Sequence, residues 1–396
     1  MGRRRPAGVL WALVLLAAIP AARFPGSELA TAGNSQAKWA VAGGWTYLAL
    51  VVPRLGVDTV AVYRSADGAR WVLDGALGRP GVRSALPALA AGEDGAVHAV
   101  WVDYGGPGHV WYARRGPGGW SAGRKLSPGE AYAGFPAVAA GPLGLHALWY
   151  GVQPSRLAPH GAVYEILHTA HGPGGWTPPQ VISPGVPDAL NPSAAPLGAS
   201  LHAAWYQSDG RTYRVHHAVW SSGRWSAPQT VSPGGVQAMA VSLAASGGAL
   251  HAAWQQYEGA SPRVVHRRLR AGGLWSEPLV LGEGTDPAVG ATDSRVVVAW
   301  VLGGRVRLRV LSGGSWSEVR DAGEGMHPTV SSTEPLWVAY TRRSQAGFDV
   351  VVRPVELPVR GSFPGWGLLG LAALYLLLRV AGALRRPRVI QGGKPP

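Results

Sequence analysis

The chain has no cysteine, and only 15% of its 396 residues are charged. The first absence excludes disulfides and thiolate metal sites. An exported chain without disulfides fits a bacterial envelope better than a eukaryotic secretory pathway. Acids are scarce: 22 Asp and Glu face 36 Lys and Arg, a net charge of +14. Such an excess would suit nucleic acid, but its location argues otherwise. Arg3, Arg4, Arg5 and Arg23 flank the first apolar run, and Arg379, Arg385, Arg386, Arg388 and Lys394 lie in or after the last. These are membrane-flanking cations, and no nucleic-acid partner is expected. A phosphate-cradling Gly loop leading into a helix is missing, as is a Gly-x-Ser-x-Gly nucleophile context. No intact catalytic set, metal site or cofactor is implied.

What is abundant is Gly (57), Pro (33) and Trp (18), and these punctuate apolar runs at a fixed spacing. From about residue 38 to 358 the chain repeats itself roughly every fifty residues. One copy reads Leu201-His202-Ala203-Ala204-Trp205, then Val215-His216-His217-Ala218-Val219, then Gly223-Arg224-Trp225-Ser226. Its neighbour reads Leu145-His146-Ala147-Leu148-Trp149, then Glu165-Ile166-Leu167-His168, then Gly174-Gly175-Trp176-Thr177. Each copy holds four short apolar segments, the first often opening with Pro, as at Pro87, Pro136, Pro192, Pro287 and Pro328. Four strands per copy predict an all-β propeller of seven four-stranded blades, with six as the alternative count. The last copy lacks a fourth strand of its own. The segment around Glu28–Gln36 is expected to supply it and close the ring.

The two ends differ from this pattern. Residues 1–32 read as a signal peptide or N-terminal anchor: a basic start, an apolar core from Ala7 to Ala22, and a small-x-small site at Ala30-Thr31-Ala32. Residues 33–358 form the propeller. Residues 363–384 are long enough for one C-terminal transmembrane helix, and 385–396 form a basic cytoplasmic tail. These assignments predict a single-pass membrane protein with an extracytoplasmic, monomeric propeller. Leu357-Pro358-Val359-Arg360-Gly361 resembles the Leu-Pro-x-Thr-Gly sorting signal of Gram-positive surface proteins, but Arg360 replaces the Thr at which the transpeptidase cuts. A plain membrane anchor is therefore expected.

The repeat resembles the bacterial neuraminidase repeat proteins, the sialidase-like propellers. Ser65-Ala66-Asp67-Gly68-Ala69-Arg70-Trp71 matches their Asp-box, shortened by one residue. The other hairpins keep Trp and Gly and lose the Asp, as at Gly118-Gly119-Trp120 and Gly313-Gly314-Ser315-Trp316. The resemblance implies a sialidase chemistry of an arginine triad, a Tyr-Glu nucleophile pair and an Asp acid. The family's Arg-Ile-Pro motif is missing, and no spacing singles out three of Arg54, Arg156, Arg263 and Arg342. The expected function is thus non-catalytic binding of a glycan or protein partner. A sialidase-like glycoside hydrolase and a structural part of an envelope complex are the alternatives.

Residues that recur read as scaffold. His98, His146, His202 and His251 share one position in successive blades, as do the hairpin Trp residues, and equivalent positions are kept apart by the blade rotation. Function is expected where the period breaks, on rim loops held by a rigid scaffold. The candidate ligand-binding residues at the channel mouth are Asn191, Asp286 and His327, with Asp188, Tyr132, Arg156 and Asp103. The first three directly precede an inner-strand Pro, which puts them nearest the axis.

Overall fold

The computed structural model describes residues 21–355, apart from positions 184, 186, 271 and 272. The N-terminal apolar core up to residue 20, the sorting-like motif, the predicted span 363–384 and the tail lie outside the described residues. The described chain forms seven antiparallel sheets, the expected seven blades. Their inner strands are Trp39–Ala42, Ser84–Ala91, Ala133–Gly141, Ala189–Leu197, Gln237–Ser246, Thr285–Thr292 and Met326–Val330, here blades 1 to 7. In blades 2, 3, 4 and 6 the outer strand is broken into two short pieces that both pair with the third strand.

Small residues allow the inner strands to crowd the axis. Gly290 lies 2.1 Å from the Ser331 carbonyl when a Cβ is placed on it. The second strands carry the core. Val97–Asp103 is buried at every position, and Trp101, Trp149, Trp205, Trp254 and Trp300 are among the largest fully buried side chains. Seven apolar clusters are resolved, most of them filling the seam between adjacent blades, as expected for sheets packed on both faces.

The hairpin Trp residues fasten each blade to the one before it. Trp176 meets Tyr112 edge-on at 5.0 Å, Trp275 meets His217 at 5.2 Å and Trp316 meets His266 at 5.0 Å. Trp225 donates its indole N–H to His168 Nδ1 at 3.1 Å, and Trp120 donates to Asp74 at 2.8 Å. The Asp-box acts as a turn. Ser65 Oγ accepts from Gly68 N–H, and Asp67 accepts from the N–H groups of Ala69 and Arg70, each at 2.8 Å.

Histidines of the second and third strands meet inside a blade. His146 pairs with His168 and His202 with His217 at 2.9 Å, and His251 pairs with His266 at 3.1 Å. Blade 2 places Tyr112 where the others have the third-strand His, 2.9 Å from His98. In blade 3 the partners fix the tautomers. Trp225 N–H requires His168 Nδ1 to accept, so His168 Nε2–H donates to His146 Nδ1, and His146 Nε2–H donates to the Leu143 carbonyl. Both rings are satisfied only when neutral. Burial pulls His168, His217 and His266 down to about 3 and His98, His202 and His251 down to about 4.

Ring closure differs from the expectation. The fourth strand of blade 7 is Ala22–Gly26, not the Glu28–Gln36 segment, and it pairs antiparallel with Gly347–Pro354, Ala22 opposite Val352 and Gly26 opposite Phe348. Phe24 is buried and packs 4.9 Å from the Tyr63 ring. Residues 27–36 are instead the crossover into blade 1, held by Ser27 N–H to Val51 O at 3.1 Å and Val51 N–H to Ala30 O at 3.0 Å. The propeller therefore begins at Ala22, inside the stretch read as an export segment. Ala30, Thr31 and Ala32, the small-x-small site, are 0%, 1% and 7% exposed. Thr31 also shares a 2.7 Å hydrogen bond with Thr341 of blade 7. A cut after Ala32 would strip the closing strand and leave an open sheet edge. The mature chain is expected to start at or before Ala22, which intact-mass measurement on the purified protein checks. A mass corresponding to a start at Gly33 would contradict it.

Candidate functional site

Six inner strands carry the same irregularity. Register shifts fall between Ala85 and Ala88, Gly134 and Ala137, Leu190 and Ser193, Met239 and Ser242, Thr285 and Ala288, and Met326 and Thr329. Within each bulge one non-glycine residue takes a left-handed backbone: Leu86, Phe135, Asn191, Ala240, Asp286 and His327, with φ between 49° and 56°. A bulge re-aims a side chain, and a repeated left-handed residue is strain retained for a purpose. All six line one cavity of about 540 Å³ at the channel mouth. Blade 1 has no bulge there, and Gly33 and Asn34 of the crossover occupy its place on the wall.

The cavity has two halves. Blades 2 and 3 contribute Leu86, Phe135 and Tyr104, while blades 4, 6 and 7 contribute Asn191, Asp286 and His327. His327 Nδ1 and Asp286 Oδ2 are 2.8 Å apart, with side chains 30% and 25% exposed. Gln255 accepts the Asp286 backbone N–H at 2.9 Å. Asn34 reaches across the ring and donates to the carbonyls of Ala240 at 2.6 Å and Pro287 at 2.7 Å. It also borders a smaller space further down the channel, so it forms a floor between the two. Arg83 lies over the Tyr104 ring at 4.7 Å. Burial pushes the Tyr104 hydroxyl up to about 12, so it is a neutral hydrogen-bonding group at physiological pH.

Lys38 lies close to this ring and is fully buried. It sits opposite Ala49. The same place in the other blades is held by Ala88, Ala137, Ser193, Ser242, Ala288 and Thr329. Its Nζ donates to the carbonyl of Pro87, next to Leu86, at 3.3 Å. Burial pulls its pKa down to about 7, against the opposing pull of the Asp286 carboxylate.

The structure gathers Asn191, Asp286 and His327 into the cavity and places the other four candidates outside its wall. Asp103 is fully buried, accepting from the Trp101 indole at 2.9 Å and Arg79 at 3.0 Å. Burial raises its pKa despite these partners. Asp188 accepts the Tyr164 N–H at 2.8 Å and so braces the third strand of blade 3. Tyr132 packs with Tyr150 and Tyr164, ring centroids 5.8 and 6.4 Å away. Arg156 is exposed on its loop. Arg54, Arg156, Arg263 and Arg342 are all absent from the cavity wall, and Arg263 and Arg342 pair instead with Glu258 and Asp349. Sequence reasoning placed Arg83 and Tyr104 on the channel-mouth rim without favouring them, and missed Gln255, Asn34 and Lys38. Lys38 had one available signal: a cation inside an otherwise small and apolar inner strand.

No family model and no curated protein matches the chain. Solved structures share its fold at low identity. The polysaccharide lyase Uly1 is 12% identical with a TM-score of 0.55, over 84% of this chain and 91% of that one. A polysaccharide lyase described as an ulvan lyase is 13% identical with a TM-score of 0.55, over 83% and 94%. A protein of unknown function from Dyadobacter fermentans is 14% identical with a TM-score of 0.51, over 86% and 99%. At these identities the likeness is one of fold.

Proposed function

We propose that the mouth cavity binds a saccharide, and that the protein is a recognition module on a membrane tether. The observation that carries this reading is the division of the bulge ring. An apolar and aromatic wall of Leu86, Phe135 and Tyr104 faces hydrogen-bonding groups from Asn191, Asp286 and His327. A sugar ring has the same two characters, apolar C–H faces and a hydroxyl edge, and pockets of this size hold one such unit. Solved propellers of like fold include enzymes that act on polysaccharides, which supports a glycan over a protein ligand. Binding is favoured over sialidase-type hydrolysis because no arginine triad assembles: Arg83 is the only arginine on the cavity wall among the described residues.

The test is a glycan array probed with the full-length protein in detergent, followed by titration of the best ligand. Asp286→Ala and Asn191→Ala should each weaken binding about tenfold or more, the loss of one buried hydrogen bond to a charged or well-placed group. The Arg156→Ala variant should bind like the parent. Absence of any glycan ligand, or equal affinity in all variants, would sink the proposal. Release of new reducing ends during the titration would move the reading from recognition to catalysis.

A further inference from the structure

The strand directions fix which end of the ring carries the chain termini. Every inner strand starts at the mouth, so second strands run toward the mouth and third strands run away from it. Blade 7 follows this rule, and its third strand Gly347–Pro354 ends at the base, opposite the cavity. The closing strand is antiparallel to it, so the chain also enters the propeller at the base, with Ala22 beside Val352. Entry and exit are neighbours on one edge of one blade.

We infer that the propeller stands base-down on the membrane, with its saccharide cavity opening away from the bilayer. This rests on the membrane-tether reading of the two apolar stretches. Their tethers are too short for the mouth to face the bilayer. The N-terminal apolar core runs straight into Ala22 with no linker, and only residues 356–362 separate Val355 from Phe363. Seven residues span at most about 25 Å when extended. To stand mouth-down, the tether would have to climb the full height of a blade. The third strand of blade 7, which the tether leaves, has 8 residues, about 26 Å of rise, so a fully extended tether would end level with the mouth and reach no membrane beyond it. The base is therefore the face that meets the headgroups, and ligands reach the cavity from the far side.

The cysteine-free chain allows a direct test on the full-length protein in phosphatidylethanolamine and phosphatidylglycerol vesicles. Single cysteines are introduced as Leu55→Cys in a mouth-side turn and Leu274→Cys on the base, both on residues more than 90% exposed. Each is labelled with a donor fluorophore, and transfer is measured to an acceptor on the lipid headgroup. The base label should transfer several-fold more strongly than the mouth label. Equal or reversed transfer overturns the orientation. Vesicle flotation is read first on both proteins: failure to float overturns the tether itself, and is distinguishable from floating protein with the wrong transfer pattern. The glycan titration is independent of both.

Discussion

Acidification from pH 7 should unfold the propeller with a midpoint near pH 5. The cause is the set of histidine pairs. An unfolded histidine takes up a proton below about 6.5, whereas the buried rings are held down to about 3 or 4. Between those values the unfolded chain binds more protons than the folded one, so stability rises with pH and falls as pH drops. The loss begins as pH passes below the unfolded value and continues down to the folded one. Each ring contributes up to about 1.4 kcal/mol per pH unit. The six rings together remove about 8 kcal/mol per unit, so about one to two units exhaust the 5–15 kcal/mol typical of a domain. Intrinsic fluorescence of the 18 Trp as a function of pH measures the midpoint. Blade 2 already contains the control, since Tyr112 replaces the third-strand His there. His217→Tyr removes one ring of the six and should lower the midpoint by about 0.3 pH unit. A propeller still folded at pH 4 would show that the pairs are not held neutral.

The second large effect is a gain. Lys38→Met should stabilise the protein by about 4 kcal/mol at pH 7, because a buried ammonium with one backbone acceptor is replaced by an apolar chain of similar length. The sign follows from the linkage. Lys38 falls from 10.5 unfolded to about 7 folded. In that window the unfolded chain holds the proton and the folded chain does not, so the parent's stability rises with pH from 7 to 10.5. The variant lacks this slope, and the gap between the two should close as pH approaches 10. Urea unfolding at pH 7.5 and pH 10 measures both. A destabilised Lys38→Met would mean that Asp286 and Pro87 offset the burial of the ammonium. A residue that weakens the fold at the edge of a binding cavity is expected to serve the cavity. The parent should therefore hold Asp286 in place better than the variant, seen as weaker saccharide binding by Lys38→Met.

Local signals carried much of this protein. The second-strand runs repeat with period two, so their seven copies could be counted without coordinates. The hairpin Trp and strand His residues could be assigned to scaffold because they recur, and the structure packs each against its own or the preceding blade. Asn191, Asp286 and His327 were legible as axial residues because each directly precedes a proline at the head of an inner strand. That is a chain-local mark, and the left-handed bulge occurs at the same place.

Other features needed the fold. Asp103 sits on the same rim in sequence, yet Trp101 and Arg79 draw its carboxylate inward. Whether a loop side chain faces ligand or scaffold depends on partners that the local sequence does not display. The Arg83–Tyr104 pair of blade 2, Gln255 of blade 5 and Asn34 of the crossover meet only because the ring brings its inner edges together. Closure was hidden for a related reason. Phe24 pairs with Val350, more than three hundred residues away, and a short Ala-rich strand directly after an apolar run looks like the end of a leader. The sequence by itself determined the repeating unit, favoured seven blades over six and marked three polar residues of the axial ring, because each is written in contacts within about fifty residues. Only the tertiary structure decided which strand closes the ring, which rim side chains turn inward and which end of the ring carries the tethers, because each depends on a pairing between the two ends of the chain or across the channel.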